Sequence, residues 1–272
     1  MINLLEAFKN EDSFTKKKFG QHFLTNKAIL DKIIEAANIT ENDNVIEIGP
    51  GCGVLTQLIT ETKASTIALE IDTELMEFLN RYLFFYKNLT IINQDASTAD
   101  YDKIYEDKPV IIIGNLPYNV SVKIFEKAAM RKNIKNMVFM FQKEVADRII
   151  AKPNSKAYSS LSVFTSYFFD TIKIKDISGA NFWPNANVMS TVLKFVPKKE
   201  REFTGEKEQQ FFKFLRHAFR QKRKTLKNNL HDIDDISSLL SQAGLINTSR
   251  AEELTLEKFK ELFNITYEKH TF

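Results

Sequence analysis

The feature that most constrains the fold of this chain is the alternation of short apolar runs with amphipathic segments in its first half. Apolar residues recur three and four positions apart after Asn26, which predicts a helix with Asn26 as its N-cap. Similar spacing predicts helices over 54–61 and after Asp72 or Thr73. Strands that alternate with such helices form βαβ units around a parallel sheet. The predicted strands span 44–48, 66–71, 89–93, 110–115 and 137–141.

The pattern changes near residue 198. Apolar runs at 171–174 and 192–195 are predicted to add edge strands to the sheet, and a polar linker is predicted over 198–205. We therefore expect an α/β domain over 1–198 and a smaller all-helical C-terminal domain over 199–272. The predicted helices of that second domain span 206–218, 236–243 and 256–263.

Composition excludes several classes of protein. The 272 residues include one cysteine, Cys52, and four histidines, which excludes an internal disulfide framework and argues against a zinc finger, so we expect no metal. No apolar run approaches the ~20 residues of a membrane span, and the N-terminus lacks the basic start and cleavage site of a signal peptide. We expect a cytoplasmic protein without a membrane partner, and nothing in the pattern demands more than a monomer.

A glycine-rich turn joins the strand predicted at 44–48 to the helix that follows it. Glu47 precedes Gly49, Gly51 and Gly53, and glycine at the start of a helix lets the backbone approach a ligand closely. The third glycine of the dinucleotide fingerprint is absent, and no Gly-Lys-Ser/Thr sequence follows. The turn therefore predicts a ligand site that is neither a dinucleotide site nor a nucleoside triphosphate site.

Two carboxylates are predicted at the ends of the next two strands. Glu70 lies 19 residues after Gly51, where a carboxylate can accept hydrogen bonds from both ribose hydroxyls, and Asp95 lies within reach of an adenine amine. The set predicts an adenosine-containing ligand without a pyrophosphate, and the alternative is a structural turn with solvated carboxylates. The combination resembles a class I S-adenosylmethionine methyltransferase. That resemblance implies a Rossmann-like sheet and S-adenosyl-L-methionine as methyl donor.

The sequence Asn-Leu-Pro-Tyr at 115–118 follows the strand predicted at 110–115. An exocyclic adenine amine is a poor nucleophile because its lone pair is delocalised into the ring. Two acceptors aimed at its N–H bonds favour a pyramidal, nucleophilic nitrogen, and Asn115 and Leu116 offer a side-chain and a backbone carbonyl. Pro117 stiffens the turn, and Tyr118 can stack on the base. The alternative is a rigid turn with a buried tyrosine.

These motifs, with several further segments, resemble the ribosomal RNA adenine dimethyltransferase family over nearly the whole chain. The resemblance is strongest to its small-subunit, KsgA-type branch. It implies transfer of two methyl groups to each of two adjacent adenosines near the 3′ end of small-subunit (16S) ribosomal RNA, and a link to ribosome biogenesis. The matching segments are 18–24, 47–56, 70–72, 95–96, 115–121, 141–148, 153–158 and 219–226.

The resemblance also implies roles for individual residues. Asn115, Leu116 and Tyr118 engage the target adenine, and Phe182 stacks on its other face. The implied cofactor-binding residues are Gln21, His22, Leu24, Glu47, Gly49, Gly51, Glu70, Asp95, Ala96 and Asn115.

The chain departs from the family pattern at three positions. His22 stands where asparagine is common, which affects the expected donor pattern at the cofactor. Ala186 and Asn187 replace a proline and a lysine of the family pattern in the segment after Phe182, which would loosen that loop and weaken an RNA contact. An ordinary core position is the alternative for Phe182, because the chain contains 23 phenylalanines.

A basic run follows the predicted linker. The segment 213–227 contains seven Lys and Arg residues and no acidic residue, and we expect a basic helix face there. Phosphates dominate nucleic-acid affinity, so this run predicts RNA binding, and the alternative is a solvated face or one paired with later acidic residues. Base-modifying enzymes act on unpaired or flipped-out bases, so the expected partner is the 16S 3′-end hairpin in the small ribosomal subunit. The candidate RNA-binding residues are Arg220, Lys222, Arg223, Lys224 and Lys227.

Three other functions remain open from the sequence. The large-subunit branch of the same family typically has Ile where this chain has Leu116. An RNA-binding assembly factor with a decayed active site would not be expected to retain Asn115 and Tyr118. A small-molecule methyltransferase would rarely need a basic helical appendage.

Overall fold

The computed structural model describes residues 3–11 and 22–267 of the chain. Its strands are β1 (Phe23–Leu24), β2 (Asn44–Ile48), β3 (Ser65–Glu70), β4 (Leu89–Asn93), β5 (Val110–Asn115), β6 (Ile134–Gln142), β7 (Phe169–Ile177), β8 (Phe182–Trp183) and β9 (Ser190–Pro197). Its helices are α1 (Leu4–Lys9), α2 (Lys27–Ala37), α3 (Val54–Glu61), α4 (Thr73–Leu83), α5 (Ser121–Ala129), α6 (Lys143–Ile149), α7 (Ser160–Phe168), α8 (Gly205–Ala218), α9 (Leu226–Asn229), α10 (Ile236–Gln242) and α11 (Leu256–Tyr267).

Seven of the strands form one sheet in the order β4-β3-β2-β5-β6-β9-β7. The strands β4, β3, β2, β5 and β6 are parallel, and β9 pairs antiparallel with β6. This sheet, with its intervening helices, confirms the predicted α/β, Rossmann-like fold. Because parallel strands end at the same edge, the carboxyl ends of β2, β3, β4 and β5 lie together there, where open α/β sheets bind ligands.

The prediction that the run at 192–195 forms an edge strand is wrong. Its strand, β9, lies between β6 and β7 and is largely buried, with Leu193 and Phe195 fully inaccessible. The edges are β4 and β7. The apolar pattern predicted the strand itself, but neighbours in a sheet are set by tertiary pairing, which a local pattern does not report.

Side-chain caps fix the starts of the helices that flank the site. The side chain of Asn26 accepts from the amide of Ile29, and Asp72 accepts from the amides of Glu74 and Leu75. The predicted N-cap Asn26 is confirmed, and of the two residues predicted to begin α4, Asp72 is the N-cap and Thr73 is the first helical residue. Apolar residues on one face of α2 pack into the main core together with residues of β5 and β6.

Two compact units make up the chain. The first comprises Met1–Ala146 and Ile172–Pro197, and the second comprises Asp147–Thr171 and Lys198–Phe272. The second unit therefore includes α7, which lies inside the 1–198 range expected for the α/β domain. Division of the chain into functional domains at residue 198 stays a prediction.

Aromatic packing explains why α7 belongs to the second unit. The Tyr167 hydroxyl donates to the carbonyl oxygen of Phe203 at 3.0 Å, and the Phe203 amide donates back to that hydroxyl oxygen at 3.0 Å. The ring of Phe164 packs on that of Phe212 in α8, with centroids 5.0 Å apart.

Among the described helices, none has both the length and the apolar character that a membrane crossing requires.

Candidate active site

A cavity of about 300 Å³ lies at the carboxyl ends of β2, β3 and β5 in the first unit. The structure brings eleven of the predicted site residues to its wall. They are His22, Leu24, Glu47, Gly49, Gly51, Glu70, Asp95, Ala96, Asn115, Leu116 and Tyr118. Gln21 lies outside the described residues.

The glycine-rich turn packs so closely that position 51 excludes a side chain. Gly51 has a φ of +58°, in the left-handed region that favours glycine. A Cβ atom there would lie 2.7 Å from the ring of Phe23. The amide of Gly51 donates to Oε2 of Glu70 at 3.4 Å, so the turn also helps to hold the acidic side chain across the cavity.

The Glu70 carboxylate is held by backbone amides at the end of β3. The Asp72 amide donates to its Oε1 at 2.9 Å, and the residue is only 5% exposed. Burial raises the pKa of Glu70 to about 7, against the opposing effect of the two amide donors. The ionised form thus becomes more populated as the pH rises through neutrality, and it presents acceptor oxygens to a ligand.

Glu47 contributes a buried oxygen that lacks a partner. Its Oε2 forms no hydrogen bond within the described residues, although the residue is only 1% exposed and lines the cavity. Burial raises the pKa of Glu47 to about 8; the nearby Thr56 hydroxyl opposes the rise and the Glu70 carboxylate adds to it. A buried polar atom without a partner is costly, so this oxygen suits a ligand that brings a donor or a positive charge.

Asp95 and Ala96 form a turn after β4. The amide of Ser97 donates to Oδ1 of Asp95 at 2.7 Å, which orients that carboxylate, and the amide of Ala99 donates to the Asp95 carbonyl at 3.0 Å. The carbonyl of Ala96 accepts from the hydroxyl of Tyr101 at 2.9 Å. The turn is therefore fixed by internal hydrogen bonds.

The Asn115 amide is oriented by a backbone acceptor. Its Nδ2 donates to the carbonyl oxygen of His22 at 3.0 Å. This bond fixes the orientation of the amide, and the side-chain oxygen is its acceptor for a ligand. The next residue, Leu116, is 1% exposed, and its amide donates to the carbonyl of Met140 at 3.3 Å, which fixes the backbone of the loop.

Tyr118 is held from two sides. Its hydroxyl lies 3.0 Å from the hydroxyl of Ser190, and its ring lies nearly parallel to that of His22, with centroids 6.2 Å apart. The Nδ1 atom of His22 in turn lies 2.8 Å from the Pro184 carbonyl oxygen, so it is this nitrogen that carries a proton and donates. The sequence argument missed the roles of Ser190 and Pro184, because such distant pairings leave no local signal.

The structure does not bring Phe182 to the cavity. The residue is 2% exposed, pairs with Leu24 in the small β1–β8 ladder, and packs among core residues that include Ile29. It does not line the cavity within the described residues. This placement matches the core alternative, and a stacking role for Phe182 stays a prediction.

The candidate RNA-binding residues lie in the second unit, in a turn rather than on the expected helix face. Residues 220–224 connect α8 to α9, and only Lys227 is helical. The buried side chain of Asn229 ends α8, because its Nδ2 donates to the Ala218 and Gln221 carbonyls at 2.8 and 3.1 Å. The five candidates, Arg220, Lys222, Arg223, Lys224 and Lys227, are all exposed.

Two of these basic residues have partners within the described chain. Arg220 lies 3.6 Å from the Asp232 carboxylate, and the Lys222 ammonium donates to the carbonyl of Lys156. Within residues 3–11 and 22–267, Arg223 and Lys224 form no ion pair. Their charges are therefore available to an anionic partner.

A family model described as ribosomal RNA adenine dimethylase matches residues 13–268. A Bacillus pumilus protein named ribosomal RNA small subunit methyltransferase A is 37% identical, over 97% of this chain and 95% of its own length. A protein of the same name from Lachnoclostridium phytofermentans is 38% identical, over 93% of this chain and 92% of its own.

Solved structures show the same architecture. A dimethyladenosine transferase from Plasmodium falciparum aligns with a TM-score of 0.73 and 28% identity, over 89% of this chain and 96% of its own. The 23S rRNA methyltransferase ErmE aligns with a TM-score of 0.70 and 21% identity, over 90% of this chain and 99% of its own. The second likeness supports the fold alone.

Proposed function

The chain belongs to the ribosomal RNA adenine dimethylase family, and from this membership we propose its reaction and substrate. It transfers methyl groups from S-adenosyl-L-methionine to the exocyclic amines of two adjacent adenosines near the 3′ end of small-subunit ribosomal RNA. The observation that carries the proposal is the oriented Asn115 amide at the cavity, followed by the fixed backbone of Leu116.

The cavity fits S-adenosyl-L-methionine. That cofactor supplies a methyl group activated by a positively charged sulfur. The Glu70 carboxylate, held by the amides of Asp72 and Gly51, offers acceptors for ribose hydroxyls. Asp95 offers an acceptor for an adenine amine, and the unpartnered oxygen of Glu47 suits an ammonium group.

The loop at 115–118 prepares the target amine. In the first transfer, the Asn115 side-chain oxygen and the Leu116 carbonyl accept hydrogen bonds from the two N–H groups of the amine, which favours a pyramidal nitrogen with a localised lone pair. In the second transfer, the methylated amine has one N–H left, which donates to one of these two acceptors. The Tyr118 ring, held by Ser190 and His22, provides a face on which the base stacks. A strong general base is unnecessary, because the nitrogen becomes acidic once it carries the new methyl group and gives up its proton to water.

The basic turn supplies the RNA-binding charge. Arg223 and Lys224 are exposed and can each neutralise a phosphate, while Arg220, Lys222 and Lys227 add further positive charge. We propose that the bound segment is the 3′-end hairpin of the small-subunit RNA, that the chain acts as a monomer, and that it works in the cytoplasm. Unpaired bases of such a hairpin can enter the cavity at little cost.

Methyl transfer to two substrates side by side tests the proposal. Labelled S-adenosyl-L-methionine is supplied with unmethylated small ribosomal subunits and, separately, with large-subunit RNA. The proposal predicts label in the small subunits only. Label in the large-subunit RNA would move the chain to that branch of the family, and binding to small subunits without transfer would favour an assembly factor.

A further inference from the structure

The connection between β4 and β5 joins two parts of the candidate active site: the turn at Asp95 and Ala96, and the strand that ends at Asn115. It begins next to Asp95 and Ala96 at the cavity and leads into β5, whose far end carries Asn115. Its middle contains two non-glycine residues with left-handed backbone, Tyr105 with a φ of 60° and Glu106 with a φ of 50°. Such conformations persist only where surrounding contacts fix them.

Tyr101 connects this segment to the turn at the cavity. The residue is 2% exposed, and its hydroxyl donates to the Ala96 carbonyl at 2.9 Å. Burial and the nearby Asp95 carboxylate hold the pKa of Tyr101 above its ordinary value, so the hydroxyl keeps its proton and remains a donor. This side chain lies outside the cavity wall within the described residues.

One peptide group joins the Tyr101 hydroxyl to the Asp95 carboxylate. The peptide between Ala96 and Ser97 accepts from Tyr101 through its carbonyl, and its N–H donates to Oδ1 of Asp95 at 2.7 Å. A peptide group is planar, so fixing its carbonyl fixes the direction of its N–H. The carbonyl's hydrogen bond also polarises the group and strengthens the N–H as a donor.

Arg131 forms hydrogen bonds with the backbone of Tyr101 and with other residues of the connection. The residue is 4% exposed, and its Nε donates to the Tyr101 carbonyl at 2.9 Å. Its Nη2 contacts three more carbonyls of the same connection, those of Ile104, Glu106 and Lys108, at 3.0, 2.8 and 3.1 Å. Only the rigid fork of a guanidinium offers so many donors from one side chain.

We propose that Tyr101, held in place by Arg131, is a positioning residue for the cofactor: its hydroxyl orients the Asp95 carboxylate through the Ala96–Ser97 peptide. This inference rests on the proposed cofactor role of Asp95 and Ala96. It assigns to two residues outside the cavity a measurable share of cofactor affinity, without a role in the transfer step.

The connection provides a matched control. Tyr105 also donates a hydroxyl hydrogen bond, at 2.6 Å to the carbonyl of Ser65, but Ser65 begins β3 at the end opposite Glu70. The Tyr101→Phe and Tyr105→Phe variants each remove one hydroxyl from the same connection, and only the first touches the turn at the cavity. Tyr101→Phe is expected to cost more thermal stability than Tyr105→Phe, because Tyr101 is buried and Tyr105 is only partly buried.

Calorimetric titration of the full chain with S-adenosyl-L-methionine tests the proposal. Tyr101→Phe is expected to raise the dissociation constant roughly three- to tenfold, the range for one hydrogen bond, while Tyr105→Phe leaves it within about twofold of the wild type. At saturating cofactor and RNA, kcat of Tyr101→Phe stays at the wild-type value, so the effect appears in KM for the cofactor.

Asp95→Asn separates failure of this inference from failure of the proposed site. If Asp95→Asn weakens cofactor binding and Tyr101→Phe behaves like Tyr105→Phe, positioning by Tyr101 is overturned and the cofactor role of Asp95 stands. If neither Asp95→Asn nor Tyr101→Phe changes the affinity, the proposed site itself is wrong. Arg131→Lys, which keeps the Tyr101 hydroxyl but removes the fork, should also weaken binding, and an unchanged affinity in that variant contradicts the role of Arg131.

Discussion

The cavity of the first unit and the basic turn of the second differ in how their polar groups are held. Glu70 is buried and fixed by two backbone amides, and Asn115 is oriented by the His22 carbonyl. In the turn, Arg223 and Lys224 are exposed and form no ion pair within the described residues. Fixed, desolvated groups exert large individual effects, whereas exposed charges contribute small, additive and salt-dependent ones.

The largest effect is expected at Asn115. Asn115→Ala removes an acceptor that acts on the reacting amine, so single-turnover transfer should fall roughly 100-fold or more, the loss seen when one transition-state hydrogen-bonding group is removed. Cofactor affinity should stay within about tenfold of the wild type. Rapid-quench transfer and calorimetry on the same preparation measure both. Wild-type turnover in this variant would contradict the loop argument.

Glu70 should control cofactor affinity and its pH dependence. Glu70→Gln removes a charged acceptor, so the cofactor dissociation constant should rise roughly 10- to 100-fold at pH 8. Because the pKa of Glu70 in the free protein is about 7, wild-type affinity should weaken as the pH falls below 7 and protonates the acceptor.

Calorimetry between pH 5.5 and pH 8.5 checks both expectations for Glu70, with Glu77→Gln, an exposed position on α4, as control. The Glu70→Gln variant should lose the Glu70-dependent weakening of affinity below pH 7, because its side chain does not titrate. If the wild-type affinity for the cofactor stayed constant across this pH range, the proposed role of Glu70 in binding the ribose would be wrong.

A moderate effect is expected in the basic turn. Neutralising Arg223 and Lys224 together, each to Gln, should weaken RNA binding and reduce the slope of log affinity against log salt by about 1.5, as two phosphate contacts require. At saturating RNA, kcat should be unchanged. Fluorescence titrations at several salt concentrations measure the slope.

The matched control for the basic turn removes two charges that already have partners. Lys258 lies 2.6 Å from the Glu261 carboxylate, and Lys260 lies 2.6 Å from that of Glu257, both on α11. The double Gln variant at these positions changes net charge by the same amount. Equal salt slopes in the two double variants would show that the turn is an ordinary solvated surface and does not bind RNA.

The smallest effect concerns stability at Glu47. Burial raises its pKa in the folded state to about 8, so its contribution to stability is fully present below the ordinary pKa and is lost as the pH rises to 8. Glu47→Gln cannot ionise and should flatten this loss, with a Tm at pH 8.5 at least about 3 °C above the wild type. Thermal unfolding of the cofactor-free wild type and of Glu47→Gln from pH 5 to pH 8.5 measures this difference in Tm. If the two curves of Tm against pH ran parallel, ionisation of Glu47 would not destabilise the folded protein.

The sequence predicted the parts of the fold that local patterns determine. The bounds of β2, β4, β5 and α3 follow directly from apolar runs, and the caps Asn26 and Asp72 are local signals. It did not predict α7, whose serine, threonine and phenylalanine residues have low helix propensity. That helix is stabilised by aromatic contacts such as Phe164 with Phe212, which belong to the tertiary structure.

The same limit applies at the candidate site. Parallel strands finish at one edge of a sheet, and the predicted site residues Glu47, Glu70 and Asn115 line one cavity there. Burial of Phe182 depends on its pairing with Leu24, 158 positions earlier, which no local pattern reports. The shape of the basic turn depends on Asn229, whose side chain captures the end of α8.

Nucleoside analysis of the product tests the central claim most directly. Unmethylated small subunits are treated with the protein and S-adenosyl-L-methionine, and the RNA is digested and analysed by mass spectrometry with positional mapping. The proposed function predicts N6,N6-dimethyladenosine at two adjacent positions near the 3′ end. Methyl groups on ribose oxygens or on pyrimidine carbons would contradict the account.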